Sequence, residues 1–493
     1  MKVLLINPRV GLNRFHTSLP LGMLAIGSYL KSKGYTVRTF DRCVQRENFI
    51  KIFDEFKPDV VGFSIFSFDV VKDAMKISAY ARKSGIPVVL GGGFSTILAR
   101  EFLSENIGDY VVLGEGEITM DELLQRIERG ADVDDVAGLA YVRDGSVRFT
   151  CEREFCDLRQ LPKLDWSLVK PSNYYTFTFP GSQNAIYIYH SKGCPGRCSF
   201  CFNKSFHKSM RRLRSDEAVC AEIRELVDTY GADGVIFGDE CFCANKEEML
   251  AFCEKLASLD ILWACQTRPT LTRQEVQAMY DSGCRTIFFG VESGSPRMQK
   301  EVQKNLPLER VKETFELCRE IGIYTVGSFI LGLPGETRED MLQTLEFINE
   351  IKPDLMQKPF FLPAPASKCW DDLIAQGKIE VPKNLLSWRK SYPMETLGIS
   401  YCELSKRELN VISSFLGLLN TIPPRSERRD IYAKNVLRIF LREVILLPQR
   451  RGLFGGLHYV FSMGVTALRL MWFLTAYPKI RREYGLYLKN FRG

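Results

Sequence analysis

Cys194, Cys198 and Cys201 share one short loop, "SKGCPGRCSFCFNK" (191–204), spaced C-x3-C-x2-C. Three thiolates on one loop can hold three corners of an iron–sulfur cubane, leaving the fourth iron open to a small molecule. The competing chemistry is zinc, with His190 or His207 closing a tetrahedral site. Zinc loops usually pair two C-x2-C knuckles, and no second knuckle is present, so the spacing favours the cluster.

The elements around this loop must position it. The 493 residues suit two or three domains, and 45% hydrophobic with 25% charged residues is a globular composition. Residues 1–150 alternate short apolar runs, at 2–7, 35–41, 59–67, 86–93 and 109–117, with amphipathic stretches. That rhythm predicts a doubly wound parallel sheet. "LAYVRDGSVRF" (139–149) reads as a hairpin turning on Asp144-Gly145. A linker over 151–184 follows. Residues 185–400 repeat the βα rhythm six times, with strands expected near 185, 234, 261, 286, 324 and 355. Six such units predict a partial (β/α)6 barrel, whose chemistry sits at the strand C-termini. The cysteine loop directly follows the first of these strands. Residues 401–493 read as a helical, basic C-terminal region.

The cysteine motif, with Phe200 just before its last cysteine and a βα barrel around it, resembles radical S-adenosylmethionine (SAM) enzymes. The resemblance implies a [4Fe–4S] cluster on Cys194, Cys198 and Cys201, whose open iron chelates SAM. Electron transfer from the cluster then splits the sulfonium to methionine and a 5′-deoxyadenosyl radical. It also implies that Phe200 packs near the adenine. Strand ends supply the other expected SAM contacts: Asp239 and Glu240 in "FGDECF", Gln266 and Arg268 in "CQTRPT", Glu292 in "FFGVESGSP", and Leu331 in "FILGLPGET". Strand-end carboxylates suit a ligand carrying an ammonium and a sulfonium. A capped βα turn is the plain alternative for each of them.

Ahead of the barrel, "INPRVG", "VVGFSIFS", "VVLGGGFST" and "VLGEGE" occur in an order similar to the cobalamin-binding domain of class B radical SAM enzymes. That resemblance implies a corrinoid between the two domains. The expected contacts are Asn7, Pro8, Ser64, Gly91, Gly92, Gly93, Ser95, Thr96 and Gly114, small residues that let a flat macrocycle approach. No Asp-x-His-x-x-Gly supplies an axial histidine, and His16 is the only histidine before residue 190. The alternative is an α/β domain that kept its fold without the cofactor.

Four further cysteines, Cys151, Cys156, Cys241 and Cys243, are candidates for an auxiliary cluster or are free thiols. Scattered cysteines and an N-terminus without a signal-peptide pattern predict a reducing, cytoplasmic setting. Residues 425–493 hold 14 Lys and Arg against 4 Asp and Glu, a net +10, leaving 52 basic against 55 acidic residues elsewhere. With the apolar run 453–477, the stretch 450–493 predicts either peripheral contact with anionic lipid or burial against the enzyme. No nucleic-acid motif is present. The expected activity is cobalamin-dependent methyl transfer to an unactivated carbon of a hydrophobic substrate, a small or lipid-like molecule, with a reducing electron donor as partner. Its rivals are radical cyclisation or C–C coupling without cobalamin, and a metal-bearing binding protein docked to membranes.

Overall fold

The structure, a computed structural model, describes residues 1–9, 19–45, 47–174, 179–391 and 399–420. The first strand, β1 (Lys2–Asn7), is buried from its second residue onward, as a strand covered on both faces must be. Beside it run β2 (Thr36–Asp41), β3 (Val60–Ser64), β4 (Val88–Gly91) and β5 (Tyr110–Val112), in the order β2-β1-β3-β4-β5 and all parallel. The order reverses between β1 and β3. In open α/β sheets ligands bind beyond the strand C-termini at such a switch point. Two antiparallel strands, β6 (Leu139–Arg143) and β7 (Ser146–Phe149), complete the sheet. Their turn is the expected one: Asp144 and Gly145 both take positive φ, 51° and 73°.

A second sheet begins with β8 (Ala185–Ile188). A short ribbon, β9 (Ser191–Lys192) against β10 (Arg212–Leu213), flanks the cysteine loop. The sheet continues through β11 (Gly234–Phe237), β12 (Leu262–Thr267), β13 (Cys284–Glu292), β14 (Tyr324–Phe329) and β15 (Leu355–Gln357). Each main strand lies parallel to its sequential neighbour, giving the six-stranded partial barrel read from the sequence. The intervening helices are firmly started. Ser215 caps Asp216–Tyr230, and capping boxes at Thr272/Glu275 and Thr337/Asp340 open Arg273–Asp281 and Arg338–Ile351. All strand C-termini therefore open at one end, where the cysteine loop lies.

The two sheets share a core. Leu19, Leu24 and Ala25, around the first helix, pack with Trp166 and Tyr174 of the connecting segment and with Ile186, Ile188 and Tyr189 of the barrel. Polar ties cross the same seam: the Asp165 amide donates to Ser28 Oγ at 2.7 Å, and Tyr174 Oη donates to Asp41 Oδ2 at 3.0 Å. A return crossing lies beyond β15. Trp370, Leu385 and Trp388 join the core of the N-terminal sheet, and Trp388 stacks on Phe68 with centroids 5.4 Å apart. In the sequence these residues sit within the barrel segment; their packing carries them back to the first domain. The C-terminal region is helical over Lys406–Leu419. The basic stretch 450–493 lies outside the described residues. Among the described residues, no helix is long and apolar enough to cross a membrane.

Candidate functional site

The approach to the cysteine loop is fixed by Asp239, just past β11. Its Oδ1 accepts the His190 amide at 2.9 Å, and its Oδ2 accepts the Ser191 amide at 2.7 Å and the Ser191 hydroxyl. Asp239, expected at SAM, thus spends both oxygens on aiming the loop. Gly193 then takes φ 89°, and a Cβ there would lie 2.0 Å from the Met210 carbonyl oxygen, so no other residue fits this close approach. The far limb is tied down independently of the thiols: the Ser199 amide donates to the Val302 carbonyl (2.9 Å), and the Cys369 amide to the Ser199 carbonyl (2.8 Å).

All three thiols are half-buried. The Gly196 amide donates to Cys194 Sγ and the Asn203 amide to Cys201 Sγ, both at 3.4 Å. A Cβ on Gly196 would lie 3.3 Å from Cys194 Sγ, 3.9 Å from Cys198 Sγ and 3.7 Å from Arg268 Nη1. Two thiols and a cation therefore surround a gap that glycine keeps open. A hydrogen bond with the buried Cys241 thiol pulls Cys194 down, helped by Arg268 and Lys304. Burial pushes Cys198 and Cys201 up, Cys201 to about 11, so loading with iron would release protons.

The histidines that a zinc site would need are engaged elsewhere. His190 is buried, 2.8 Å from Asp216 Oδ1 and stacked on Phe252 at 3.9 Å. His207 faces Glu240, its Nε2 3.5 Å from Oε1. Among the described residues no three His, Cys, Asp or Glu converge on one metal ion. A closed zinc site requires that convergence. A cubane takes each thiolate at a different iron and does not. Cys151, Cys156, Cys241 and Cys243 likewise form no ligand group. Cys241 Sγ lies 3.8 Å from Thr267 Oγ1, Cys243 Sγ 3.9 Å from Met279 Sδ, and Cys156 Sγ 3.9 Å from Glu115 Oε2, while Cys151 is exposed.

At the barrel mouth Gln266 is exposed on β12, and Arg268 donates to the Lys304 carbonyl at 2.6 Å. Glu292, at the end of β13, is buried with φ 70° where the β13–β14 register breaks. Such strain in a side-chain-bearing residue persists only where its surroundings impose it. Its Oε1 accepts from Lys304 Nζ at 2.8 Å, and a Cβ on Gly290 would strike both atoms. Lys304 was not singled out from sequence, since nothing in its neighbourhood signals an approach to β13. Phe200 packs on a wall of Met298, Val302, Leu333 and Phe361. The Leu331 side chain is fully buried in the core, its amide donates to the Pro359 carbonyl and its carbonyl accepts the Phe361 amide, so side chain and backbone are both already engaged.

Glu336, at the end of the same "FILGLPGET" segment, is fully buried; Oε2 accepts the Gly332 amide at 2.9 Å and Oε1 has no partner. Burial pushes this carboxyl up to about 8 from 4.5. The folded chain thus holds a proton that the unfolded chain releases. Its contribution to stability is full below about pH 4.5 and is lost as pH rises through about 8. Glu336→Gln is expected to remove that fall. Urea midpoints at about pH 5 and about pH 9 check it, and equal falls in both proteins would refute it.

Between the domains lies a cavity of about 310 Å³, lined on one side by Ser64, Gly91, Gly92 and Gly114 over a floor including Leu5, Met23, Gly62 and Met120. The barrel contributes Tyr189, Lys192, His207, Gly238 and Glu240. Glu240, expected at SAM, therefore faces the domain seam, its Oε2 accepting the Gly193 amide at 2.9 Å. An adjoining cavity of about 360 Å³ shares Gly114, Glu115 and Glu117 and includes Thr96. Gly92 takes φ 104°, and a Cβ there would lie 2.7 Å from the Ile65 carbonyl. Asn7, Pro8, Gly93 and Ser95 line neither cavity. Asn7 and Pro8 turn their carbonyls to Arg42 and Cys43, and Ser95 Oγ donates to the Gly92 carbonyl. Ion pairs close the seam: Lys192 Nζ to Glu117 at 2.8 Å, and Arg212 to both oxygens of Glu115 at 2.9 and 2.5 Å. Burial works to raise the Glu117 carboxyl, but Lys192 outweighs it and holds the group below its usual range.

Residues 188–348 match the Radical SAM superfamily, and residues 10–124 match the B12 binding domain. The chain is a radical SAM protein with an N-terminal B12-binding domain. A Pyrococcus horikoshii protein named as an uncharacterized methyltransferase is 28% identical over 76% of this chain and 82% of its own. The anaerobic magnesium-protoporphyrin IX monomethyl ester cyclase of Rubrivivax gelatinosus is also 28% identical, over 73% of this chain and 67% of its own. The solved radical SAM methyltransferase TsrM of Kitasatospora setae, with cobalamin and a [4Fe–4S] cluster bound, shares the fold with TM-score 0.67 at 17% identity, over 76% of this chain and 78% of that one. The radical SAM domain brings with it a [4Fe–4S] cluster and SAM, and the B12-binding domain brings cobalamin. The residues present fit both: a thiol loop with backbone donors aimed at sulfur, and a glycine-bordered slot between the domains.

Proposed function

We propose that this radical SAM enzyme transfers a methyl group from SAM, by way of cobalamin, to an unactivated carbon of a small molecule. The observation that carries the reading is the path of one segment. Tyr189, Ser191 and Lys192, which lead into the cysteine loop, and Phe206 and His207, which lead out of it, also line the barrel side of the interdomain cavity. A cluster and a corrinoid would thus face each other across a few residues of one loop. When bound, the cluster supplies an electron, SAM the methyl group and radical source, and cobalamin a methyl carrier.

The chain's own part is placement. Asp239 aims the loop, and the Gly196 and Asn203 amides and the nearby Arg268 and Lys304 stabilise thiolate charge. Phe200, Gln266, Arg268 and Glu292 form the proposed SAM surface. Ser64, Gly91, Gly92, Gly114 and Thr96 form the proposed cobalamin surface. The apolar floor of the cavity and the phenylalanines Phe149, Phe155, Phe202 and Phe206 of its neighbour support an apolar substrate.

The test is anaerobic purification, reconstitution with iron, sulfide and hydroxocobalamin, desalting, and metal analysis. About four irons with about one cobalt per chain supports methyl transfer, with S-adenosylhomocysteine as the second product. Four irons without cobalt would sink it and favour the radical ring closure suggested by the cyclase relative. The tail 450–493 belongs to the same proposal as a contact for anionic lipid. Ending the chain at 449 should abolish co-flotation with phosphatidylglycerol vesicles, and unchanged flotation would refute that contact.

A further inference from the structure

We propose that the cavity of about 360 Å³ beside the cobalamin slot seats the substrate, and that it takes an uncharged, apolar ring system and rejects carboxylates, phosphates and sulfonates. The inference rests on the methyl-transfer reading above and narrows its substrate class. The cavity is placed for that role. Gly114, Glu115, Glu117 and Phe206 belong both to its wall and to that of the slot, so a guest would lie beside whatever fills the slot. Phe202, the residue after Cys201, is in the wall as well, so the same guest would border the cysteine loop. The volume falls within the range of about 300–1,000 Å³ typical of small-molecule pockets.

The wall selects by what it offers and by what it withholds. Phe149 and Phe202 are 47% and 41% exposed, and both line this cavity with Phe155 and Phe206. Large aromatics left open around one cavity mark a binding surface. Their faces suit a rigid ring, which loses little freedom on binding. The charges work against an anion. Four carboxylates line the cavity, Glu115, Glu117, Glu152 and Glu154, against one cation, Arg153. Arg153 is taken by Glu122 and by Thr119 Oγ1, the latter at 2.6 Å. Arg212, Lys192 and Lys208 pair with Glu115, Glu117 and Glu152. Glu154 is exposed and has no cation partner among the described residues. Arg100 lies over the Phe149 ring, 5.3 Å from its centroid, but is not part of the wall. The small hydroxyls are engaged: Thr96 accepts the Gly114 amide at 3.0 Å, Thr150 donates to the Leu139 carbonyl at 3.1 Å, and Ser205 to the Ala366 carbonyl at 2.7 Å. An entering anion would lose its water, find no unpaired cation in the wall and meet Glu154.

The experiment uses full-length, iron-reconstituted protein in equilibrium dialysis with two probes that share one ring skeleton. N-phenyl-1-naphthylamine is neutral, and 1-anilinonaphthalene-8-sulfonate adds an anion. Wild type, Phe149→Ala and Glu154→Lys are compared, with iron and cobalt per chain measured on each. Wild type should bind the neutral probe about tenfold more tightly than the sulfonate. Phe149→Ala should weaken the neutral probe about tenfold, the scale of one aromatic contact, with metal content unchanged. Glu154→Lys, a change at an exposed position, should tighten the sulfonate and leave the neutral probe as it was. Loading with hydroxocobalamin should leave the neutral probe bound. Equal affinity for the two probes in wild type, an unchanged neutral probe in Phe149→Ala, or an unchanged sulfonate in Glu154→Lys would each overturn the proposal. Displacement of the probe by hydroxocobalamin would assign the cavity to the corrin and overturn it too. A wild type that takes up iron without cobalt would overturn the methyl-transfer reading instead, and the two probes and two variants would then decide the cavity's guest on their own.

Discussion

Cys198→Ala should leave a folded chain that no longer retains iron, falling from about four per chain to near background, with no 5′-deoxyadenosine or S-adenosylhomocysteine formed from SAM. The reason is that loop shape and cluster binding have separate causes here. The loop is held by Asp239 on one limb and by the Ser199 backbone, paired with Val302 and Cys369, on the other. None of these contacts uses the Cys198 thiol. Removing it takes away one corner of the cubane and leaves the scaffold. Cys243→Ala is the control. Its sulfur lies against Met279 in the barrel core, and the variant should keep all its iron. Full iron retention in Cys198→Ala, with the control behaving as expected, would place the cluster elsewhere.

Much of this architecture was legible because it is local. The cysteine spacing, the alternation of strands and helices, and the Asp144-Gly145 turn each lie within a few consecutive residues, where period and φ preference act directly. What the chain hides depends on how distant segments approach. Asp239 and Glu240 are adjacent and chemically alike, yet one is buried on the loop amides and the other opens to the domain seam. Their alternation on leaving β11 decides this, and it shows only once the strand's end is fixed. Lys304 carries no motif and matters through its partner Glu292. Trp370 and Trp388 look like barrel residues by position, but they cover the hydrophobic face of the first domain around Phe68. Asn7 and Pro8 lie at a strand end as a cofactor contact would, yet their carbonyls are committed to the β2 corner at Arg42 and Cys43.

Lys304→Met should lower stability by about 3 kcal/mol, because it strands the buried Glu292 carboxylate, and breaking a buried pair from one side costs on that order. Both side chains are 10% exposed and 2.8 Å apart, so solvent screens the pair little. Glu292 also sits at φ 70°, a conformation that Lys304, Gly290 and the β13–β14 register break together hold in place. The double variant Glu292→Gln/Lys304→Met should regain most of the loss, since neither charge is then buried alone. Urea unfolding of the four proteins measures the coupling. A Lys304→Met loss within about 1 kcal/mol would show that the pair is screened after all. Function should separate from stability. Lys304 joins Arg268, just past β12, to Glu292 of β13 through its carbonyl and its ammonium, beside the Gly196 gap in the cysteine loop. Restoring stability with neutral side chains does not restore those charges. SAM cleavage by the double variant should stay about ten- to a hundredfold below wild type, the scale of a lost preorganised charge. Wild-type cleavage in a stable double variant would mean that the pair serves the fold alone, and that the SAM surface lies nearer Gln266 and Phe200.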